Sequence, residues 1–519
     1  MAPFFSAVAL GLLVAFGFQP FGIWPLALIG YAGLALLIQA RSPRARAAFA
    51  IGWGFGLGQF VLGLDWIATA FTYQAKMPGW LGWIAVLLLS LYLAVFPGLA
   101  ALGAWWTTRR IGGGAATLSL ALGACWGVSE WLRGTLFTGF PWNPAAAAFV
   151  DLPLAQLARI TGTYGLSAII VASSGFILIL AALPRERLGR KTMLSSANLP
   201  AAAGLLLLAG LYFAPGIAVR IGRPDPLPPG TGPRVTVIQP DIGQGERWDP
   251  QLSRRHLQRL IALSGRPGDQ PRVLLWPESA IEDFVTEDPA IAAALAPVIG
   301  PRDVLIAGGV LPVRDAGGAF VAARNSAFAI GPGGRILGRY DKAHLVPYGE
   351  YLPMRPLLSL LGLSRLAPGD VDFLPGPGPR TLALPGGLSV AVQICYEMIF
   401  SGHVVDEAHR PDFLFNPSND AWFGPSGPPQ HLAQARLRAI EEGLPIARAT
   451  PTGISAIIAP DGRIVRELGA HAMGMTSERL PAARPRPIFT YLGDGAVWLI
   501  ALLLGLMAIA AGRYKESFI

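Results

Sequence analysis

Charge is scarce in this chain. Only 14% of its 519 residues are Asp, Glu, Lys or Arg, while 52% are hydrophobic; a soluble globular domain carries roughly 25% charged residues. This balance excludes a disordered chain, which needs low hydrophobicity, and a purely soluble enzyme. Cysteine is scarcer still, at two residues, and acidic side chains are in deficit: 32 against 41 Lys+Arg, a formal charge of +9. No internal repeat is visible. So basic a composition raises the question of nucleic acid, and the distribution of charge answers it. Residues 1–220 hold 13 Lys/Arg and 4 Asp/Glu, whereas residues 221–488 hold 26 of each. The whole excess lies in the most apolar part, so no nucleic-acid partner is expected.

What is abundant is long apolar runs. They are Phe4–Phe18, Gly22–Ala40, Ala47–Phe71, Gly79–Trp106, Gly114–Trp131, Thr163–Leu183, Ala201–Val219 and Tyr491–Ala511. Most approach the ~20 residues that cross a bilayer. The first is short, but without a basic leader or a small-residue cleavage site it reads as a span rather than a signal peptide. Arg41, Arg44 and Arg46 follow the second run, Arg109 and Arg110 the fourth, Arg185, Arg187, Arg190 and Lys191 the sixth, and Arg513 and Lys515 the eighth. Basic loops stay on the cytoplasmic side. The expected organisation is therefore a membrane domain over 1–220 with seven transmembrane helices, a domain over 221–488 outside the cytoplasmic face, and an eighth helix with a short cytoplasmic tail over 489–519. Asp65 and Glu130, costly in hydrocarbon, read as structurally paired residues near the external surface, Glu130 with Arg133, rather than as headgroup ligands.

The segment 221–488 reads as one α/β domain. Short Val/Ile/Leu-rich strands are expected at Arg234–Gln239, Arg272–Trp276, Asp303–Ala307, Leu388–Ile394 and Phe413–Phe415, too short for helices. Hairpins are expected around Gly331–Gly334 and Pro460–Gly462. Helices are expected near Pro250–Ser264, Asp288–Val298 and Pro429–Glu442. This mixture argues for a layered sandwich with helices outside.

Cys125 lies within the fifth run and Cys395 in the polar domain, so this topology keeps the two thiols apart. Cys395 directly follows the strand ending at Ile394, a position where a nucleophile is exposed and backbone N–H groups converge. Taken alone it reads more readily as an inert buried thiol. A thiol needs a base or a cation to react, and His344, His403 and His431 form no recognisable Cys–His signature. Glu278, in Trp276-Pro277-Glu278-Ser279, and Lys342, in Tyr340-Asp341-Lys342-Ala343-His344, each follow a strand as well. Either alone is an ordinary loop charge; Glu, Lys and Cys each just beyond a strand of one domain is a much rarer set.

The order Glu278 (WPES), Lys342 (YDKAHLVPYGEYLP) and Cys395 (ICYE) resembles the nitrilase, or carbon–nitrogen hydrolase, superfamily. The flanking spans narrow the resemblance to the apolipoprotein N-acyltransferase family. Thr138–Trp142 (TGFPW), Ser418–Gly424 (SNDAWFG) and Gly453–Ala456 (GISA) also match. The resemblance implies a multi-span helical membrane domain plus an αββα sandwich facing the periplasm from the bacterial inner membrane. It implies an acyl chain moved from a phospholipid, typically phosphatidylethanolamine, to the N-terminal amine of a diacylglyceryl-cysteine apolipoprotein, the last step of lipoprotein maturation. It implies no metal and no cofactor, and a monomer is expected. Cys395 would form the thioester, Glu278 serve as base, and Lys342 stabilise the oxyanion. Glu350 reads as a second polar partner in the site or as a cap or surface charge. Tyr396 would orient the oxyanion donors, and Glu397 either hydrogen-bonds the backbone or acts in catalysis. Trp248 either lines the acyl path or staples a helix start. The apolar stretch Tyr351–Leu374 is expected to form a mobile arm at the lipid interface, or else to pack on the domain's own core. The alternative function is a membrane-tethered amidase or nitrilase acting on a small amide.

Overall fold

The computed structural model describes residues 1–73, 78–181, 233–247, 249–360 and 372–516. The chain divides into two compact units, one of Met1–Asp65, Ile84–Arg223 and Pro487–Ile519, the other of Trp66–Trp83 and Pro224–Arg486. The first unit is helical: α1 (Ala2–Ala15), α2 (Trp24–Arg41), α3 (Ala45–Gly63), then, beyond a short α4 (Trp66–Ala70) that belongs to the second unit, α5 (Leu81–Leu93), α6 (Val95–Ile111), α7 (Ala115–Thr135) and α8 (Ala158–Ala181). Prolines sit at the first turns of α1 and α2, where the missing N–H costs nothing. Among the described residues, Trp24–Arg41, Leu81–Ile111, Pro153–Phe176 and Gly495–Arg513 are long and apolar enough to cross a membrane. The expected span Ala201–Val219 lies outside the described residues.

Glu130 and Arg133 are both buried on α7. Glu130 Oε1 accepts from the Trp126 indole at 2.9 Å and from Ala145 N at 2.8 Å. Arg133 donates to the carbonyls of Phe140 and Trp142 at 2.7 and 2.8 Å. Arg133 stitches α7 to the TGFPW loop and Glu130 stitches it to Ala145 just beyond, which explains why an apolar helix retains both charges.

In the second unit, β1 (Arg234–Gln239), β2 (Arg272–Leu275), β3 (Val304–Arg314), β4 (Phe320–Ile330), β5 (Ile336–Asp341) and β12 (Gly474–Arg479) form one six-stranded sheet, ordered β12-β1-β2-β3-β4-β5. The second sheet, β11-β10-β9-β8-β7-β6, uses β6 (Thr381–Ala383), β7 (Ser389–Val392), β8 (Phe413–Pro417), β9 (Ile446–Ala449), β10 (Ser455–Ile458) and β11 (Ile464–Leu468). Each sheet has a parallel centre, β1-β2-β3 and β7-β8-β9, with antiparallel flanks. Both expected hairpins are present, β4–β5 and β10–β11.

Alternation sorts the strand residues into layers. Val235, Val237, Leu275, Ile306, Val390, Val392 and Phe415 fill the space between the sheets. Their neighbours Ile238, Leu274 and Leu305 face outward onto α9 (Ser253–Ser264) and α10 (Pro289–Leu295). Ala391, Leu414 and Ile446 face outward onto α12 (Gly427–Glu442). The result is the αββα sandwich.

Residues 66–73 pack onto this unit rather than onto the helices they follow. Trp66 meets Phe423 edge-on at 4.5 Å between ring centroids, and Tyr73 meets Trp422 at 6.1 Å. The expected third span, Ala47–Phe71, is helical in two pieces, α3 to Gly63 and α4 from Trp66, which together are long and apolar enough to count as one broken span.

Candidate active site

Glu278 leaves β2 on a turn made possible by a glycine across from it. A Cβ on Gly308 would lie 2.5 Å from Ser279 N and 2.7 Å from Glu278 Cα, closer than atoms approach. Gly308 N donates to Pro277 O at 3.2 Å and Ile281 N to Gly308 O at 3.0 Å, which pins the turn to β3. Ser279 takes a left-handed φ of +49°. Buried Arg247 donates to the Glu278 carbonyl at 3.0 Å. The side chain is therefore held from both directions.

Lys342 follows β5 and is 1% exposed. Its Nζ lies 2.9 Å from Glu350 Oε2 and 3.6 Å from Glu278 Oε1. Burial pulls its pKa down, but Glu350, Glu278 and Cys395 together carry it above the usual lysine range, so the ammonium stays charged. Asn325 completes the cluster, its amide donating to Glu278 Oε1 at 2.7 Å and Glu350 Oε1 at 2.8 Å. Glu350 Oε2 also accepts from Val346 N at 2.8 Å. The remaining oxygen, Glu278 Oε2, is buried with no hydrogen-bond partner among the described residues. It is a carboxylate oxygen available to take a proton.

Cys395 starts a short 3₁₀ turn, Cys395–Ile399, beyond β7, with a left-handed φ of +52°. Its thiol pKa is raised well above the ordinary value: burial is the main cause, and the Glu278 charge adds to it. Lys342 and the Asn419 backbone N–H oppose that rise. The resting group is thus a neutral thiol that needs a base at the moment of attack, and the three residues singled out in the sequence interact in one buried site.

Around them, Tyr396 is buried and stacks edge-on with Phe400 at 5.2 Å. Glu397 accepts from Tyr340 OH at 2.8 Å, from Ala343 N and His344 N at 2.7 and 3.0 Å, and from Ile394 N at 2.7 Å. It ties the Lys342 loop to the Cys395 turn, the backbone role among the two expected of it. Glu350 is buried within the cluster rather than a surface charge. Trp248 lies outside the described residues, as does 361–371 of the expected arm. The described parts of that arm expose Met354 and Leu360 yet bury Leu352, and an Arg355–Asp372 ion pair joins its two ends. Among the described residues no group of His, Cys, Asp and Glu is arranged to hold a metal ion.

Sequence reasoning missed Asn325 and the residues behind the nucleophile. Asn325 alternates with Ala323 and Ala327 on the buried face of β4, and an amide in an inward-facing row was the signal available. Asn419 and Asp420 stood in the SNDAWFG motif without a role attached, and His431 lacked a signal because the Cys395 carbonyl it holds is 36 residues away.

A family model described as the apolipoprotein N-acyltransferase N-terminal domain matches residues 10–176, and one described as carbon-nitrogen hydrolase matches residues 234–486. The apolipoprotein N-acyltransferase of Bradyrhizobium diazoefficiens is 38% identical over 520 residues, covering 97% of this chain and 94% of the relative. That of Rhodopseudomonas palustris is 35% identical with the same coverage. Among solved structures, a nitrilase-superfamily member from Saccharomyces cerevisiae is similar at 18% identity and a TM-score of 0.35, over 51% of this chain and 94% of that one.

Proposed function

The chain belongs to the apolipoprotein N-acyltransferase family, and from that membership we propose that Glu278, Lys342 and Cys395 carry acyl transfer through a thioester on Cys395. The observation that supports this most is the buried lysine: Lys342 sits between two carboxylates beside a thiol that is protonated at rest. Glu278 takes the thiol proton as sulfur attacks the phospholipid ester carbonyl. Lys342 and the Tyr396 N–H stabilise the resulting oxyanion, and one such donor contributes about 3–4 kcal/mol. Collapse expels the lysophospholipid alkoxide, which takes the proton back from Glu278. The lipoprotein amine then attacks the thioester and gives a proton to Glu278, and the departing Cys395 sulfur recovers it. Glu350 holds Lys342, and Glu397 holds the two loops together. Lys342 remains charged throughout and is therefore not the base.

The donor is a phospholipid, phosphatidylethanolamine as the family resemblance implies, and the acceptor a diacylated apolipoprotein. The protein acts as a monomer in the bacterial inner membrane, with the sandwich on the periplasmic side, a reading that rests on the Lys/Arg-rich even-numbered loops. Transfer to the amine rather than hydrolysis requires that water be kept from the thioester. Incubating the purified protein with phosphatidylethanolamine tests the reading. Acyl mass on Cys395, discharged faster by an amine lipopeptide than by water, is the expected result. No adduct, with Cys395→Ser still active, would overturn it.

A further inference from the structure

The SNDAWFG and GISA motifs have no part in the mechanism above, yet both converge behind Cys395. His431, fully buried on α12, places Nε2 3.1 Å from the Cys395 carbonyl oxygen. A carbonyl only accepts, so Nε2 carries the hydrogen and donates. The other ring nitrogen, Nδ1, lies 3.1 Å from Arg448 Nη2 and 3.2 Å from Asp420 Oδ1. Arg448 Nη2 is 2.5 Å from Asp420 Oδ2, and the same guanidinium reaches Asn416, Ser418 Oγ at 3.0 Å and Ile454 O at 3.2 Å. Gly453 makes room for this: a Cβ there would fall 2.5 Å from Asp420 Cβ. Burial and then the Arg448 charge lower the His431 pKa, so the imidazole is neutral, with its single hydrogen on Nε2 and Nδ1 accepting from Arg448.

The peptide between Cys395 and Tyr396 is planar, and its C=O and N–H point in opposite directions. Whatever holds the carbonyl therefore aims the amide. Cys395 also sits in the left-handed region, which is strained for a non-glycine residue and persists only where its surroundings fix it. The Asn419 N–H bonds the sulfur of the same residue, so the thiol is held by the loop after β8 while the carbonyl is held by His431 on α12.

We propose that His431 is a positioning residue for acyl transfer: by holding the Cys395 carbonyl it aims the Tyr396 N–H, together with Lys342, at the oxyanion. It is not the base, because a base needs a free lone pair and the one on Nδ1 accepts from Arg448. Arg448, itself held by Asp420, orients the ring. The inference rests on the acyl-enzyme reading of Cys395.

Two reactions of the full-length protein separate this role from a merely structural one. Acylation of Cys395 by phosphatidylethanolamine develops an oxyanion; alkylation of the same thiol by iodoacetamide does not. His431→Leu is expected to slow acylation by about 100-fold while alkylation and its pH profile stay within about twofold of wild type. His431→Gln keeps an N–H of similar reach and is expected to recover acylation to within about tenfold. If His431→Leu does not fold, His431→Asn, whose amide is too short, replaces it against His431→Gln. Acylation and alkylation falling together, or acylation unchanged, overturns the proposal. Absence of an acyl adduct in the wild type would instead overturn the thioester reading.

Discussion

The side-chain amide of Asn325 donates to Glu278 at 2.7 Å while its second hydrogen goes to Glu350 at 2.8 Å. One neutral residue thereby holds two carboxylates that would otherwise repel each other across a buried lysine. Asn325→Leu removes both charge-assisted bonds, each worth about 1.5–3 kcal/mol. Acylation measured as lysophospholipid release is expected to fall about 10- to 100-fold, with a lower thermal midpoint. Unchanged release would show that Glu278 is oriented by other groups.

Lys342→Met leaves two buried carboxylates without their cation. Breaking a buried pair costs about 3–5 kcal/mol, so the variant is expected to unfold at lower temperature and to form no acyl-Cys395. Adding Glu350→Gln removes one of the stranded charges. The double variant is expected to regain part of the thermal midpoint and none of the acylation, a coupling that a double-mutant cycle reads directly.

Gly308→Ala forces a methyl group into the Pro277–Ser279 backbone. Overpacking of this kind costs about 1–3 kcal/mol, and the part able to move is the turn carrying Glu278. Activity is expected to drop far more than stability does, compared by thermal melting and acyl-adduct formation. An equal loss of both would place the strain elsewhere.

The Cys395 thiol has a raised pKa, so below that value its thiolate fraction grows tenfold per pH unit. Iodoacetamide alkylation of Cys395 is expected to climb with unit slope through pH 9 without levelling off. A plateau below pH 8 would mean a thiolate already formed at rest.

Much of this was legible in the sequence. Strands β1 and β2 announced themselves as short Val/Leu runs, and Glu278, Lys342 and Cys395 each stood just past a strand end. β3 and β4 run longer than expected because Gly308, Gly309 and Pro312 interrupt the apolar pattern, while a long antiparallel hairpin supplies the pairing that local propensity does not. β12 was invisible: Gly-Met-Thr-Ser-Glu-Arg has no apolar alternation, and it becomes a strand because β1 offers it an edge. The support behind the nucleophile was hidden for a related reason. His431, Asp420 and Arg448 meet only when α12, the loop after β8 and β9 are packed together, and sequence spacing carries no trace of that meeting.

The docking of Trp66 and Tyr73 onto Phe423 and Trp422 has a bearing on biosynthesis. The two halves of this contact are about 350 residues apart, so at ordinary rates of synthesis the first half waits roughly 20–70 s for the second. The loop that carries Asn419 and Asp420 thus sets against aromatic neighbours made long before it. A fragment starting at residue 224 would carry the catalytic triad and still lack part of the surface against which that loop sets.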